Sequence, residues 1–362
     1  MRLVLIGDGD SPHLLKWAHA LAPQVELWAV SSRGFLPGFD AVLPAQRRLA
    51  LATAPRFEGG NIALLRYAPQ VAAWLRPLRP DWLHAHYLTS HGTLALLARA
   101  LGVRARLVGS AWGSDVLQTP QRSRLLAWWT GRVLRACALA TSDSAHMARR
   151  MHELGAGETL VFPFGLEAMP PEPGTKDDAL FFANRGLEAV YDPLRVVDTF
   201  AAIARDWPQA RLVVAHDGRL REAAQVRARE HGLSQRVRFT GRLDAPEQAA
   251  WYGQARWYLS LPRSDSVSVS VLEALAHGCV PLLSDLPANR ELVEHGRNGW
   301  IVADGRMPAP AELQVLRARG DAIAAENRAW VQAHALFAPA VERFVARLRE
   351  IDAQARAAGG WR

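Results

Sequence analysis

Short continuous runs of apolar residues fall at Leu3–Ile6, Val25–Val30, Trp82–His86, Arg106–Gly109, Ala138–Thr141 and Thr159–Phe162, with alanine-rich or amphipathic stretches of helical period between most of them. Runs of this length suit strands covered on both faces, so the pattern predicts a parallel sheet of β-α units. In "FPFGLEAMPPEPGTKDD" proline, glycine and charge then interrupt every period. The series restarts at Leu180–Ala183, Leu212–Ala215, Val237–Thr240, Trp257–Leu261, Val280–Ser284 and Trp300–Val302. The prediction is an α/β chain of two doubly wound, Rossmann-like domains of about six strands each. They span residues 1–166 and 178–335, joined by a linker at 167–177. Residues 336–362 form an amphipathic helix with Val341, Phe344, Val345, Leu348 and Ile351 on one stripe, covering its own domain or crossing back to the first. Elsewhere Asp244, Pro246 and Glu247 read as a capped helix start, and Val196, Val197, Phe200, Ile203 and Trp207 as a core-facing stripe.

The formal charge of +8 suits an anionic partner, but only Lys16 and Lys176 are lysines, and the arginines are scattered. No helix-turn-helix, zinc-finger or aromatic-basic platform pattern accompanies them, so no nucleic-acid partner is expected. Cys137 and Cys279 stand alone, which suits a reducing compartment. No stretch approaches the ~18 apolar residues of a spanning helix, and the apolar run in "MRLVLIGDGDS" is too short for a signal peptide. The expected location is cytoplasmic, with membrane contact only peripheral, at the inner face. The stretch "QRSRLLAWWTGRVLRACA" reads as ordinary helix packing with snorkelling arginines or as a membrane-surface patch.

One stretch carries chemistry. In "LPRSDSVSVSVLEALAHG", residues 261–278, a strand ends, a serine-rich loop follows and a helix begins near Ser268 or Ser270. Amides at a helix N-terminus lack intrahelical partners and the dipole is positive there, so a phosphate or diphosphate fits, with hydroxyls of Ser266, Ser268 and Ser270 as added donors. Ser270 and Glu273 also have the spacing of a capping box, a purely structural use.

With Asp265 eight residues before Glu273, and "GCVPLLSDLPANRELVEHGRNGWIV" after it, the run resembles the nucleotide-sugar site of family-4 glycosyltransferases of the GT-B fold. The resemblance implies two domains facing a cleft whose closure excludes water, and a retaining, metal-independent hexosyltransferase with no cofactor beyond a nucleoside diphosphate sugar as co-substrate. By that resemblance Glu273 holds the ribose, Asp265 the transferred sugar, and Val267 and Ser268 the phosphates. Ser266 lies in the same loop, and the turn Gly241–Arg242–Leu243 meets the base. "VFPFGLE" is similar to the interdomain hinge, "MRLVLIGDGDSPHLLKWAHAL" to the first β-loop-α, and "GSAWGSDVL" to a wall of the first domain. The acceptor is expected to be a glycan or lipid-linked glycan in bacterial surface polysaccharide or glycolipid assembly. The segment at 31–61, placed where such enzymes shape acceptor access, carries no readable code.

Three departures stand out. Asp265 is one methylene shorter than the family's usual Glu. Of the family's phosphate-binding Arg and Lys, Arg185 in "FFANRGLEAVYDPLRVVDTF" fits the arginine, but Val190 and Tyr191 occupy the lysine region. Arg263, inside the phosphate loop, is the expected substitute, with Arg195 and Arg242 as others. Trp112 stands where many relatives carry His, leaving His13, His86, Ser114 and Asp115 as polar candidates of the first domain, each equally readable as structural. The lost lysine and histidine keep two rivals open: a non-catalytic nucleotide-sugar-binding or partner protein, and a nucleotide-sugar epimerase.

Overall fold

The computed structural model describes residues 1–53, 62–303, 306 and 308–358. The chain divides into two compact units: Met1–Phe162 with Phe337–Arg362, and Pro163–Leu336.

The first unit holds strands β1 (Arg2–Gly7), β2 (Glu26–Ser31), β3 (Arg48–Ala50), β4 (Trp82–His86), β5 (Arg106–Ser110), β6 (Leu139–Ser142) and β7 (Thr159–Val161). They form one parallel sheet in the order β3-β2-β1-β4-β5-β6-β7. The second holds β8 (Asp177–Ala183), β9 (Arg211–Ala215), β10 (Val237–Gly241), β11 (Ala255–Ser260), β12 (Val280–Ser284) and β13 (Trp300–Val302), parallel in the order β10-β9-β8-β11-β12-β13. This is the doubly wound arrangement, twice. The extra strand is β3, a half-exposed edge of three residues that apolar runs do not reveal; residues 54–61, later in the same variable segment, lie outside the described residues.

Alternation along β8 shows how both faces are buried. Phe181 and Ala183 join Val197, Phe200 and Ile203 of the helix Pro193–Asp206 on one face, and Phe182 meets Tyr258, Val271 and Leu275 on the other. The helix Ala245–Gln254 begins with a reciprocal cap: Asp244 Oδ1 accepts from the Glu247 amide (2.8 Å) and Glu247 Oε2 from the Asp244 amide (3.0 Å).

One residue of the expected linker differs from the sequence expectation. Lys176 belongs to no open linker: it is buried, and its Nζ donates to the Tyr252 carbonyl at 2.6 Å. The helix Phe337–Ala357 packs within the first unit, where Phe337 and Phe344 meet the Trp17 ring at 5.0 and 5.4 Å and Trp82 Nε1 donates to Asp352 Oδ2 (3.2 Å).

Candidate active site

The carboxyl ends of β8 and β11 are adjacent, so the residues that follow them converge. After β8 come Asn184 and Arg185; after β11 comes the loop Pro262–Val267, and then the helix Val269–Ala276. Arg185 Nη2 donates to Asp265 Oδ2 at 2.6 Å and Nη1 to Ser268 Oγ, while its guanidinium carbon lies 4.5 Å from the centre of the Tyr191 ring. Both charged side chains are largely buried, 13% and 23% exposed. Burial raises the Asp265 carboxyl above its ordinary range, and the nearby Arg185 charge offsets only part of this. Burial pulls Arg185 down, but Asp265, Tyr258 and Tyr191 outweigh it and leave the guanidinium more firmly charged than usual.

Ser268 is the N-cap residue of the helix, yet its side chain makes no capping bond; it accepts from Arg185 instead. The first intrahelical bonds come from Val271 and Leu272, which donate to the Ser268 carbonyl (3.1 and 3.2 Å). The amides of Ser268, Val269 and Ser270 therefore precede the ladder, at the positive end of the helix. The capping-box reading of Ser270 and Glu273 is overturned, because the helix starts at Val269 and Ser270 lies inside it. Ser266 and Val267 are buried in the loop, and the Ser266 amide donates to Asp265 Oδ1 (3.0 Å).

Glu273, on the next turn, is held by a polar chain from other elements. Tyr252 Oη lies 3.1 Å from Glu273 Oε2 and accepts from Asn184 Nδ2 (2.8 Å). Asn184 Nδ2 also donates to Gln248 Oε1 (2.7 Å), Asn184 Oδ1 accepts from Tyr258 Oη (2.8 Å), and Gln248 Nε2 donates to the Leu243 carbonyl (3.2 Å). With both donors and the acceptor engaged, the Asn184 amide orientation is determined. Burial raises both phenols, so Tyr252 and Tyr258 stay protonated and remain donors.

The turn Gly241–Arg242–Leu243 closes β10, two strands away from β8, and is linked to the cluster by the bond from Gln248 to the Leu243 carbonyl. Gly241 has φ +82° and its carbonyl accepts from His216 (2.6 Å); Arg242 is exposed. Arg263 is 71% exposed and its Nε donates to Asp192 Oδ2 (2.8 Å). Arg195 Nη2 donates to the Val302 carbonyl (2.9 Å).

In the first unit the candidates cluster where β1, β4 and β5 end. The exposed His13 ring lies 5.0 Å from the Trp112 ring, and Trp112 Nε1 donates to Nδ1 of the buried His86 (3.2 Å). Trp112 also stacks on Tyr87 at 5.9 Å. Asp115 braces this wall: its carboxylate accepts from the Trp112 and Leu88 amides, both at 2.9 Å, although burial, its largest influence, raises its pKa. Ser114 is exposed, at the start of the short helix Ser114–Leu117.

Residues 180–317 match the sequence model described as "Glycosyl transferases group 1", and residues 2–144 the one described as "Glycosyl transferase 4-like". A GDP-mannose:cellobiosyl-diphosphopolyprenol alpha-mannosyltransferase of Xanthomonas campestris is 31% identical over 271 residues, 70% of this chain and 69% of the relative. The chain belongs to the family-4 glycosyltransferases. A phosphatidyl-myo-inositol mannosyltransferase of Mycobacterium leprae is 27% identical over 338 residues, 88% and 86% of the two chains. Among solved structures, Anabaena HepE in complex with UDP superposes with a TM-score of 0.77 at 15% identity, over 97% of this chain and 100% of that one, which shows the same GT-B fold.

This glycosyltransferase thus uses a nucleotide sugar. The sequence reading did not find Asn184, Gln248, Tyr252 or Tyr258, and it met Tyr191 only as an occupant of the lysine region. For Asn184 a signal existed, since it directly precedes Arg185 at a strand end. Tyr252 and Tyr258 are buried on a helix and a strand, where nothing local marks a polar role. Among the described residues no helix is long and apolar enough to cross a membrane.

Proposed function

We propose that this glycosyltransferase moves a mannosyl residue from GDP-mannose, with retention of configuration, to a hydroxyl of a lipid-linked glycan or glycolipid in surface polysaccharide or glycolipid assembly. The observation that carries the reading is Arg185, set by Asp265 and Ser268 against the N-terminus of the helix that bears Glu273. Mannosyl transfer is supported by the two relatives, both named mannosyltransferases, and retention by the alpha product named for one of them.

In this reading Glu273 accepts the ribose hydroxyls while Tyr252 orients its carboxylate. The diphosphate lies on the amides from Val267 to Ser270 and draws Arg185 toward itself, which frees Asp265 to accept hydroxyls of the sugar. The bond from the anomeric carbon to the phosphate oxygen breaks as the bond to the acceptor oxygen forms on the same face. The acceptor proton passes to the departing phosphate. Fixed positive groups aimed at a developing negative charge contribute of order 3 kcal/mol each, so Arg185 and the helix end take the part a divalent ion plays elsewhere. Arg263 is a secondary contributor that would first have to leave Asp192. In this reading the donor comes from the cytoplasm and the reaction runs at the inner face of the membrane.

The test incubates the protein with GDP-mannose and other nucleotide sugars together with extracted lipid-linked glycans, with and without EDTA, and follows nucleoside diphosphate release and the anomeric NMR signal of the product. GDP release, an alpha product and insensitivity to EDTA are expected. Binding without release would instead favour the non-catalytic rival, and a sugar isomer without transfer the epimerase.

A further inference from the structure

We propose that the helix Arg124–Ala136 is a docking surface for an anionic lipid bilayer. The observation is an apolar pair on an otherwise basic face. Leu125 is 71% and Trp128 54% exposed, one turn apart, and Arg132 and Arg135 continue the same stripe toward the helix end. The Arg132 guanidinium lies over the Trp128 ring at 6.0 Å. Arg122 and Arg124 flank the apolar pair on the other side, both exposed. From residue 116 to 142 the sequence holds these four arginines and no carboxylate.

The apolar pair cannot turn inward, because the opposite face is fixed. Thr130, Gly131, Val133 and Leu134 are buried, and Trp129 Nε1 donates to Thr93 Oγ1 (2.8 Å). At Gly131 an added Cβ would stand 2.5 Å from the Leu154 carbonyl oxygen, so the helix lies directly on neighbouring backbone.

Charge selects the occupant. A second copy of this chain would pair the same face about a two-fold axis and bring arginine against arginine. A nucleic-acid backbone would answer the arginines but leave Leu125 and Trp128 without a partner. An anionic bilayer answers both, with Leu125 and Trp128 inserted at the level of the headgroups and the arginines among the phosphates.

The test is co-sedimentation of the full-length protein with vesicles of phosphatidylglycerol and phosphatidylcholine in equal parts, against pure phosphatidylcholine, at low and high salt. No donor or acceptor is present, so the outcome does not depend on the transfer reaction. Partitioning should be about tenfold stronger to the anionic vesicles and fall about tenfold in the double variant Leu125→Ser, Trp128→Ser. Arg124→Gln with Arg132→Gln should weaken binding and flatten its salt dependence. Val315→Ser, which removes an apolar side chain 57% exposed on the helix Pro310–Ala318, should change nothing. The proposal is overturned if neutral vesicles bind equally, if neither vesicle binds, or if the Leu125, Trp128 variant sediments like wild type. A dimer in sedimentation velocity that the same variant abolishes would also overturn it, by assigning the face to a second copy.

Discussion

Arg185 carries two partners that a bound donor would have to share, Asp265 and Ser268. Removing it strips the site of its buried cation and leaves only the Ser266 amide to offset the burial that raises the Asp265 carboxyl. Arg185→Ala is therefore expected to lower kcat by about 10²–10³, measured by nucleoside diphosphate release at saturating donor, with Arg185→Lys recovering only part because one ammonium cannot serve both directions of the fork. Glu273→Gln should act differently. It keeps the shape but loses a charged acceptor, so calorimetric affinity for the nucleoside diphosphate should fall by about 2 kcal/mol; unchanged affinity would remove Glu273 from the site. Asp265 and Glu273 could be named from the motif, since their spacing around a helix start is local, and Arg185 from the separate segment that follows β8. The chain Gln248–Asn184–Tyr252–Glu273 was not, because its members come from three separate segments, the end of β8 and the helices Ala245–Gln254 and Val269–Ala276, that only the fold brings together.

At the level of elements, two helix starts look alike in sequence and differ in use. The Asp244 cap is reciprocal and exposed, and Asp244→Ala is expected to cost about 1 kcal/mol in urea unfolding. Ser268 is also an N-cap, but its hydroxyl serves Arg185. Ser268→Ala should therefore change stability by less than about 0.5 kcal/mol, below an ordinary cap loss, while slowing turnover about tenfold. An ordinary cap penalty without loss of rate would return Ser268 to a structural role. The sequence pattern distinguishes strands and helices well here because apolar runs and 3.6-residue stripes are averages over many positions. It fails at β3, where three half-exposed residues give no period, and at Lys176, whose burial depends on Tyr252, a residue 76 positions away.

The whole molecule buries imidazoles in both units, and this couples stability to pH. Burial lowers His84 to about 3, and His86 well below its ordinary value with help from His84, His91 and His13. In the second unit burial, then Lys176 and Arg328, lower His277 to about 4. Unfolded histidines bind a proton near pH 6.5, whereas these folded ones stay neutral well below it. Between those limits the unfolded chain holds more protons, so the stability they contribute is complete above pH 6.5 and is lost as pH falls through the folded values. Each contributes a slope of up to about 1.4 kcal/mol per pH unit in that window. Asp115 and Asp265 run the other way, because raised carboxyl pKa values favour the folded state toward acid. The histidines outnumber them, so urea midpoints should fall between pH 7 and pH 5. His84 is the position to test: its Nε2 meets Ser110 Oγ at 2.6 Å, a contact that Gln can replace with an amide. In His84→Gln the slope of unfolding free energy against pH should flatten by about one proton whatever the absolute change in stability. An unchanged slope would mean that His84 already takes up its proton in the folded protein.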